Sequence, residues 1–344
     1  MAATPLALTA NSVHAVATTI DAQPAQEVDA LDRDVVDVTA DGRYALVTEW
    51  GLAWPDARLN LLTGQRVAVP PTAGRAHLTD DGTSMVFFTF TSFVPSDTNG
   101  DFDLYRYNFN TSSYQLIQLT NAPANWTFNL EDISGDGRYL AFAGSNGVIA
   151  DTGAFIFDST TNTWYQPDKK LPDFANGPQR QSNTIRLSAD GRYAAWVTAP
   201  LAGGRSEVWV YDRVSNTAVD ATKRTDGAIV NDGSSTDPEI SSDGRNIVFR
   251  STGSHLVAGV TTTGSRVYVR HLDTNTTVLV TANESPDSQY SGPSIGGAGE
   301  TVAVIEALPA TLNGNPMDLE QPVVYRLADN TRLVPTDPIG AGIP

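Results

Sequence analysis

One stretch of the sequence is composed like a cation site. In "FVPSDTNGDFDLYRYN", Asp97, Asn99, Asp101 and Asp103 occupy alternate positions. Side-chain oxygens spaced this way on a curled loop can converge on a hard cation such as Ca2+, which accepts oxygen ligands in flexible geometry. The pattern is not an EF-hand: Phe102 stands where that loop needs its glycine, and Asn108 where it needs a bidentate Glu. The competing reading is a polar turn in which Asp and Asn bond to nearby backbone and hold nothing. Other chemistry is thinly supplied. The chain has no Cys, which excludes disulfides, zinc–thiolate sites and thiol nucleophiles. Its four His, His14, His77, His255 and His271, show no H-x-H or H-E-x-x-H spacing, so any cluster must be assembled from distant parts of the chain. No G-x-S-x-G nucleophile elbow is present. With 39 Asp and Glu, no catalytic carboxylate pair can be selected.

The tryptophans divide by context. Trp196 and Trp209 fall in strand registers and read as core. Trp50 and Trp54, in "TEWGLAWPDA", and Trp126, in "NAPANWTFNLED", fall in loops. Loop tryptophans on one rim make binding anchors, and packing against a neighbouring unit is the alternative.

These residues need a scaffold, and composition bounds it. The 344 residues can bury a large core, and 40% apolar with 18% charged residues suits a folded chain. Gly (28) and Pro (20) are frequent, so turns must be too. A net charge of −17 without a basic run repels phosphate backbones, which argues against nucleic acid as partner. No stretch approaches the roughly 20 apolar residues that span a bilayer. The first basic residue is Arg33, so the N-terminus lacks the charged n-region of a signal peptide.

The scaffold is legible as a repeat. "VTADGRYALV" from Val38, "LTDDGTSMVF" from Leu78, "ISGDGRYLAF" from Ile133, "LSADGRYAAW" from Leu187, "ISSDGRNIVF" from Ile240 and "IGGAGETVAV" from Ile295 align on Gly42, Gly82, Gly137, Gly191, Gly244 and Gly299. Asp-Gly is expected to supply the positive φ values of a tight hairpin. Residues after each turn are apolar on successive positions, as in strands buried on both faces. A second strand motif follows ("AFIFD", "EVWVYD", "RVYVRHL"), then a polar turn, then a last strand ("TAVDAT", "TTVLVT", "TRLVPT"). Four strands per unit in six units predict an all-β, six-bladed β-propeller of four-stranded antiparallel blades. Phe142, Trp196 and Phe249 share one register and should be buried. The predicted organisation is an N-terminal arm over 1–32, the propeller over 33–336 and a tail over 337–344. Either "SVHAVATTID" or "TRLVPT" supplies the outer strand of the last blade. The segments 168–183, 223–237 and 282–292 join the outer strand of one blade to the inner strand of the next, so they share one face. That face, around the central channel, is the expected site.

The pattern S-x-D-G-R-x-h-A-F, then h-Y-V-x-D, then a strand ending L-T, resembles the TolB-like six-bladed propeller built of WD40-like (PD40) repeats. The resemblance covers about residues 33–336. It departs from the periplasmic namesake in lacking a separate α/β domain ahead of the propeller. It also departs in the turn, where Gly135, Ala189 and Ser242 replace the Pro of S-P-D-G. A propeller without a catalytic signature fits a non-catalytic module, periplasmic, extracellular or virion-associated, that presents a loop face to a protein or glycan. A structural subunit of a surface or virion assembly, and a lyase or hydrolase with a channel-bound cation, are the alternatives.

Overall fold

The computed structural model describes residues 33–49, 54–147, 152–171, 180–200, 204–224, 232–257, 259, 261–262, 264–282, 289–312 and 315–334. The predicted arm over 1–32, the tail over 337–344, Trp50 and His14 lie outside them. Six four-stranded antiparallel sheets follow one another, each made of four consecutive strands. Blade 1 holds β1 (Arg33–Val38), β2 (Tyr44–Glu49), β3 (Ala57–Asn60) and β4 (Arg66–Ala68); blade 2 holds β5 (Ala76–Leu78), β6 (Ser84–Thr89), β7 (Asp103–Asn108) and β8 (Ser113–Ile117). Blade 3 holds β9 (Thr127–Ile133), β10 (Tyr139–Ser145), β11 (Thr152–Asp158) and β12 (Thr163–Tyr165); blade 4 holds β13 (Arg180–Leu187), β14 (Tyr193–Pro200), β15 (Glu207–Asp212) and β16 (Thr217–Asp220). Blade 5 holds β17 (Ser235–Ile240), β18 (Asn246–Ser251), β19 (Arg266–His271) and β20 (Thr276–Leu279); blade 6 holds β21 (Gln289–Ile295), β22 (Thr301–Leu312), β23 (Asn315–Arg326) and β24 (Thr331–Leu333). Each first strand touches the first strand of the next blade from β1 through β21, which places these strands around the axis. The protein is a six-bladed all-β propeller. The strand within "TRLVPT" is β24, the outer strand of blade 6, so that blade is complete without the N-terminal stretch.

The repeated turn is more specific than a two-residue hairpin. In blade 3 the Gly137 N–H donates to Ser134 O at 2.7 Å, and the Ser134 hydroxyl donates to Asp136 at 2.7 Å. The same aspartate accepts the Arg138 N–H at 2.9 Å. Blades 1, 2, 4 and 5 repeat this wiring with Asp41, Asp81, Asp190 and Asp243. Only the glycine has positive φ, for example 67° at Gly137, so the aspartate acts by its side chain and not by the left-handed backbone expected of it. A methyl group at Gly191 would also overlap the Tyr139 ring of the preceding blade.

The missing proline has a cause. Asp80 N–H donates to Gly135 O at 2.8 Å, Gly135 to Ala189 at 2.8 Å, Ala189 to Ser242 at 2.9 Å and Ser242 to Gly297 at 3.0 Å. These are the x positions of S-x-D-G, bonded from blade to blade around one end of the axis. Proline there would remove the donor.

Side chains then lock the blades. Arg138 grips Asp158 through two bonds of 2.9 and 2.7 Å, and Arg192 grips Asp212 at 3.0 and 2.8 Å, tying the second strand to the third. Apolar clusters fill successive blade interfaces, with Phe142, Trp196 and Phe249 fully buried in the expected register.

Candidate functional site in the axial channel

Five residues before each turn glycine, the inner strands carry Asp37, His77, Asp132, Arg186, Glu239 and Ser294. In β1, β9, β13, β17 and β21 the pairing register shifts just before this position. Such a bulge re-aims the side chains that follow it. At the bulge Thr184 and Asp237 adopt φ of 48° and 53°. A β-branched residue in that region is an outlier held by its surroundings, and such strain gathers at functional sites.

Asp37, His77, Asp132, Arg186 and Glu239 line a cavity of about 270 Å3 with Arg75, Ala76, Val35 and Val36. The His77 ring stands between two carboxylates, its Nδ1 3.9 Å from Asp37 and 4.0 Å from Asp132. Each aspartate also reaches the inner strand of the next blade: Asp37 accepts the Leu78 N–H at 2.6 Å, and Asp132 accepts the Leu187 N–H at 2.7 Å. Arg186 donates to Glu239 at 2.6 Å and to the Glu131 and Ile185 carbonyls at 3.2 Å. Arg75 faces Glu131 at 3.1 Å. Burial, with the Asp132 charge adding to it, pushes the Asp37 carboxyl up to about 8. Burial likewise pushes Asp132 up to about 7, against the opposing pull of Arg186. Two acids shifted this way by burial beside charged partners in a cleft mark a candidate site.

The channel opens at one end. Arg75 and Asp237 are 53% and 41% exposed, whereas His77 and Glu239, two residues further along their strands, are 15% and 22% exposed. Beyond them the bonded S-x-D-G turns converge on the axis. Ligand access is therefore from the face carrying the second-to-third strand loops and the blade crossovers.

That face also carries the sequence-predicted residues. Asp97 accepts the Tyr105 hydroxyl at 2.5 Å, and Asn99 accepts the Asp101 N–H at 3.3 Å. Asp97 Oδ1 and Asp103 Oδ2 are shut from solvent without a hydrogen-bond partner. Burial and the Asp97 charge raise the Asp103 carboxyl above its ordinary range. Among the described residues, no group of three His, Asp or Glu converges as a metal site. Beside the loop, Phe102 stacks on Phe88 at 4.5 Å and meets Phe90, which is 67% exposed, at 4.9 Å. Trp54 is exposed, and Trp126 is half-buried, edge-on to Phe155 at 4.8 Å. Trp54 and Trp126 are not brought together with the channel residues. Of the segments 168–183, 223–237 and 282–292, the described parts are the flanks of blade crossovers and the first residues of β13, β17 and β21.

A Ser–His–Asp group lies on the same face in blade 5. Ser254 and Asp232 both engage His255 Nδ1, at 2.6 and 2.9 Å. A nucleophile relay needs the two on opposite ring nitrogens, so this arrangement is not one. Hydrogen bonds from Ser254 and His255 bring Asp232 down to about 2.

The channel residues escape a reading of local motifs because each comes from a different blade. The signal lies in column, not in row: the position five before the turn glycine reads Asp, His, Asp, Arg, Glu, Ser, where a strand repeat alone would favour apolar residues.

Comparison with known proteins bears on the fold. No family model and no curated protein sequence matches the chain. A structure of prolyl endopeptidases aligns at TM-score 0.57 and 11% identity, over 88% of this chain and 42% of that one. Prolyl oligopeptidase B from Galerina marginata aligns at TM-score 0.55 and 10% identity, over the same shares of 88% and 42%. A TolB protein from Agrobacterium tumefaciens aligns at TM-score 0.46 and 16% identity, over 75% of this chain and 81% of that one. The chain thus spans under half the length of the peptidases, and the likeness is one of fold.

Proposed function

We propose that this propeller is a non-catalytic binding module that presents its loop face to a protein or glycan partner outside the cytoplasm. One observation carries the reading: the exposed Phe90–Phe102 platform and the Asp97–Asp103 loop lie on the face from which the axis is reached, while the opposite end is occupied by bonded turns. Aromatic faces beside carboxylates suit a sugar ring or an amphipathic protein surface, and rigid aromatic anchors contribute most to such contacts. The TolB-like repeat supports the extracytoplasmic setting, and among the described residues no helix is long and apolar enough to cross a membrane. The test compares wild type with a Phe90→Ser/Phe102→Ser variant, immobilised against a glycan array and an extracytoplasmic extract. A partner held by wild type and lost by a variant of unchanged melting temperature supports the reading. Equal retention by both overturns it.

A second reading concerns the same loop. We infer that Asp97, Asn99, Asp101 and Asp103 hold Ca2+. The two solvent-shut carboxylate oxygens on Asp97 and Asp103 support it, since a cation would supply the partner they lack.

A further inference from the structure

The channel's charges leave a remainder. Four carboxylates, Asp37, Glu131, Asp132 and Glu239, face two guanidiniums, Arg75 and Arg186, and the His77 ring. Arg75 is matched to Glu131 and Arg186 to Glu239 at ion-pair distance. Blade 6 adds only Ser294 at the equivalent position. Asp37 and Asp132 are left with one strand-to-strand N–H each at hydrogen-bond distance from another blade, and with His77 beyond that distance. Both line the cavity of about 270 Å3, and the bonded turns of blades 2 to 6 follow at the far ends of the same inner strands.

We propose that this cavity binds an alkylammonium group, inserted from the loop face against the carboxylates of Asp37 and Asp132, which also flank the His77 ring. The volume admits an ammonium head with a few methylenes, since a water molecule takes roughly 30 Å3. Val35, Val36 and Ala76 offer apolar wall to the methylenes. An ammonium is a compact charge with three rotatable donors, which suits two carboxylates from separate strands better than the fixed fork of a guanidinium. The head group belongs either to a lysine of a partner chain or to a free amine. The inference stands apart from the loop-face reading, because Phe90 and Phe102 take no part in the pocket.

Binding an ammonium here expels protons. Burial keeps Asp37 and Asp132 partly protonated near neutrality, and the incoming cation favours their ionised forms. Glu131, Glu239, Arg75, Arg186 and His77 face the pair from the neighbouring strands, so the proton count belongs to the cluster. The experiment is calorimetric titration of the intact chain at neutral pH in two buffers of different ionisation enthalpy. The probes are N-acetyl-lysine methylamide, 1,4-diaminobutane and the uncharged N-acetyl-norleucine methylamide. Saturable binding of an amine with proton release, and none of the norleucine compound, is the expected result. The lysine compound binding more tightly assigns the pocket to a partner's side chain, and diaminobutane binding more tightly assigns it to a free amine. Asp37→Asn/Asp132→Asn should weaken the amine by about tenfold or more and abolish proton release. Absence of saturable binding by both amines, equal binding of the norleucine compound, or unchanged affinity in the folded double variant overturns the proposal. If the double variant fails to fold, the comparison of charged and uncharged probes on wild type decides.

Discussion

Asp37 and Asp132 hold their protons to unusually high pH, and this couples them to stability. Their folded carboxyls titrate near 8 and 7, raised by burial, while an unfolded chain releases those protons near 3.8. Between those values the folded state binds more protons than the unfolded one, so their contribution is whole below about pH 4 and is lost as pH rises toward about 8. Asp212 works in the opposite sense: the Arg192 guanidinium beside it brings it down to about 2, so its contribution is present above the unfolded value and lost as pH falls toward 2. Melting temperature should therefore decline from about pH 5 to about pH 8 in wild type. Asp37→Asn/Asp132→Asn should flatten that decline and melt higher than wild type at the alkaline end. Thermal melts across this range check it, and an unaltered slope in the variant refutes it. Trp196 gives a second residue-scale case. Its indole donates to Asp168 at 3.0 Å, and the same buried carboxylate accepts from Ser182 and Ala154 at 2.6 Å. Trp196→Ala should cost on the order of 3–5 kcal/mol in denaturant melts, the usual loss for a large core aromatic. Trp196→Phe should cost less but more than a neutral core swap, because it strips a donor from a buried charge.

Two elements carry tests of their own. The S-x-D-G turn of blade 4 donates from Ala189 to Ser242, whereas Ala40 of blade 1 makes no such bond among the described residues. Ala189→Pro should destabilise by about 1 kcal/mol, the net value of one hydrogen bond, and Ala40→Pro by clearly less, as read by urea midpoints. Equal effects would mean that the axial bonds contribute nothing. In the loop between β6 and β7, chelator should lower the melting temperature and Ca2+ should restore it, because only the folded loop gathers its ligands. Asp97→Asn should blunt that response and Asp232→Asn, in another loop, should not; an indifferent melt with no bound calcium leaves the loop a turn. The turn elements are the most legible part of the sequence. Gly137 and Gly191 mark their hairpins because no other residue meets a positive φ together with the Arg106 head group, at Gly137, or the Tyr139 ring, at Gly191, overhead. Asp136 and Asp190 were as visible, although their task is side-chain capping and not the backbone twist. Asp37, His77 and Asp132 were not legible, since strand bulges and ring closure bring them together and no local pattern encodes either.

At the scale of the whole ring, the fastenings are unequal, and this predicts where it loosens first. Blades 3, 4 and 5 are bonded on both sides through Gly135, Ala189 and Ser242. Apolar clusters join blades 2 to 3, 3 to 4, 4 to 5 and 5 to 6, each with residues from both partners. Blade 1 shares a cluster with blade 2 through Leu46, but its other cluster, around Ala45, Val47, Ala57 and Leu59, is built, among the described residues, of blade 1 side chains alone. Nor do the described axial bonds continue from Gly297 to Ala40 or from Ala40 to Asp80. Local opening follows low contact density and weak tethering, so one seam should open well below the free energy of global unfolding. Hydrogen exchange read by mass spectrometry should show β2 and β3 exchanging faster than β10, β14 and β18, although all five are buried strands. An alkylammonium held by Asp37 of blade 1 and Asp132 of blade 3 would tie blade 1 to the ring on its blade 2 side, and should slow exchange in β1 and β2 more than elsewhere. Uniform protection around the ring would show instead that the blade 1 interfaces are as firmly held as the rest.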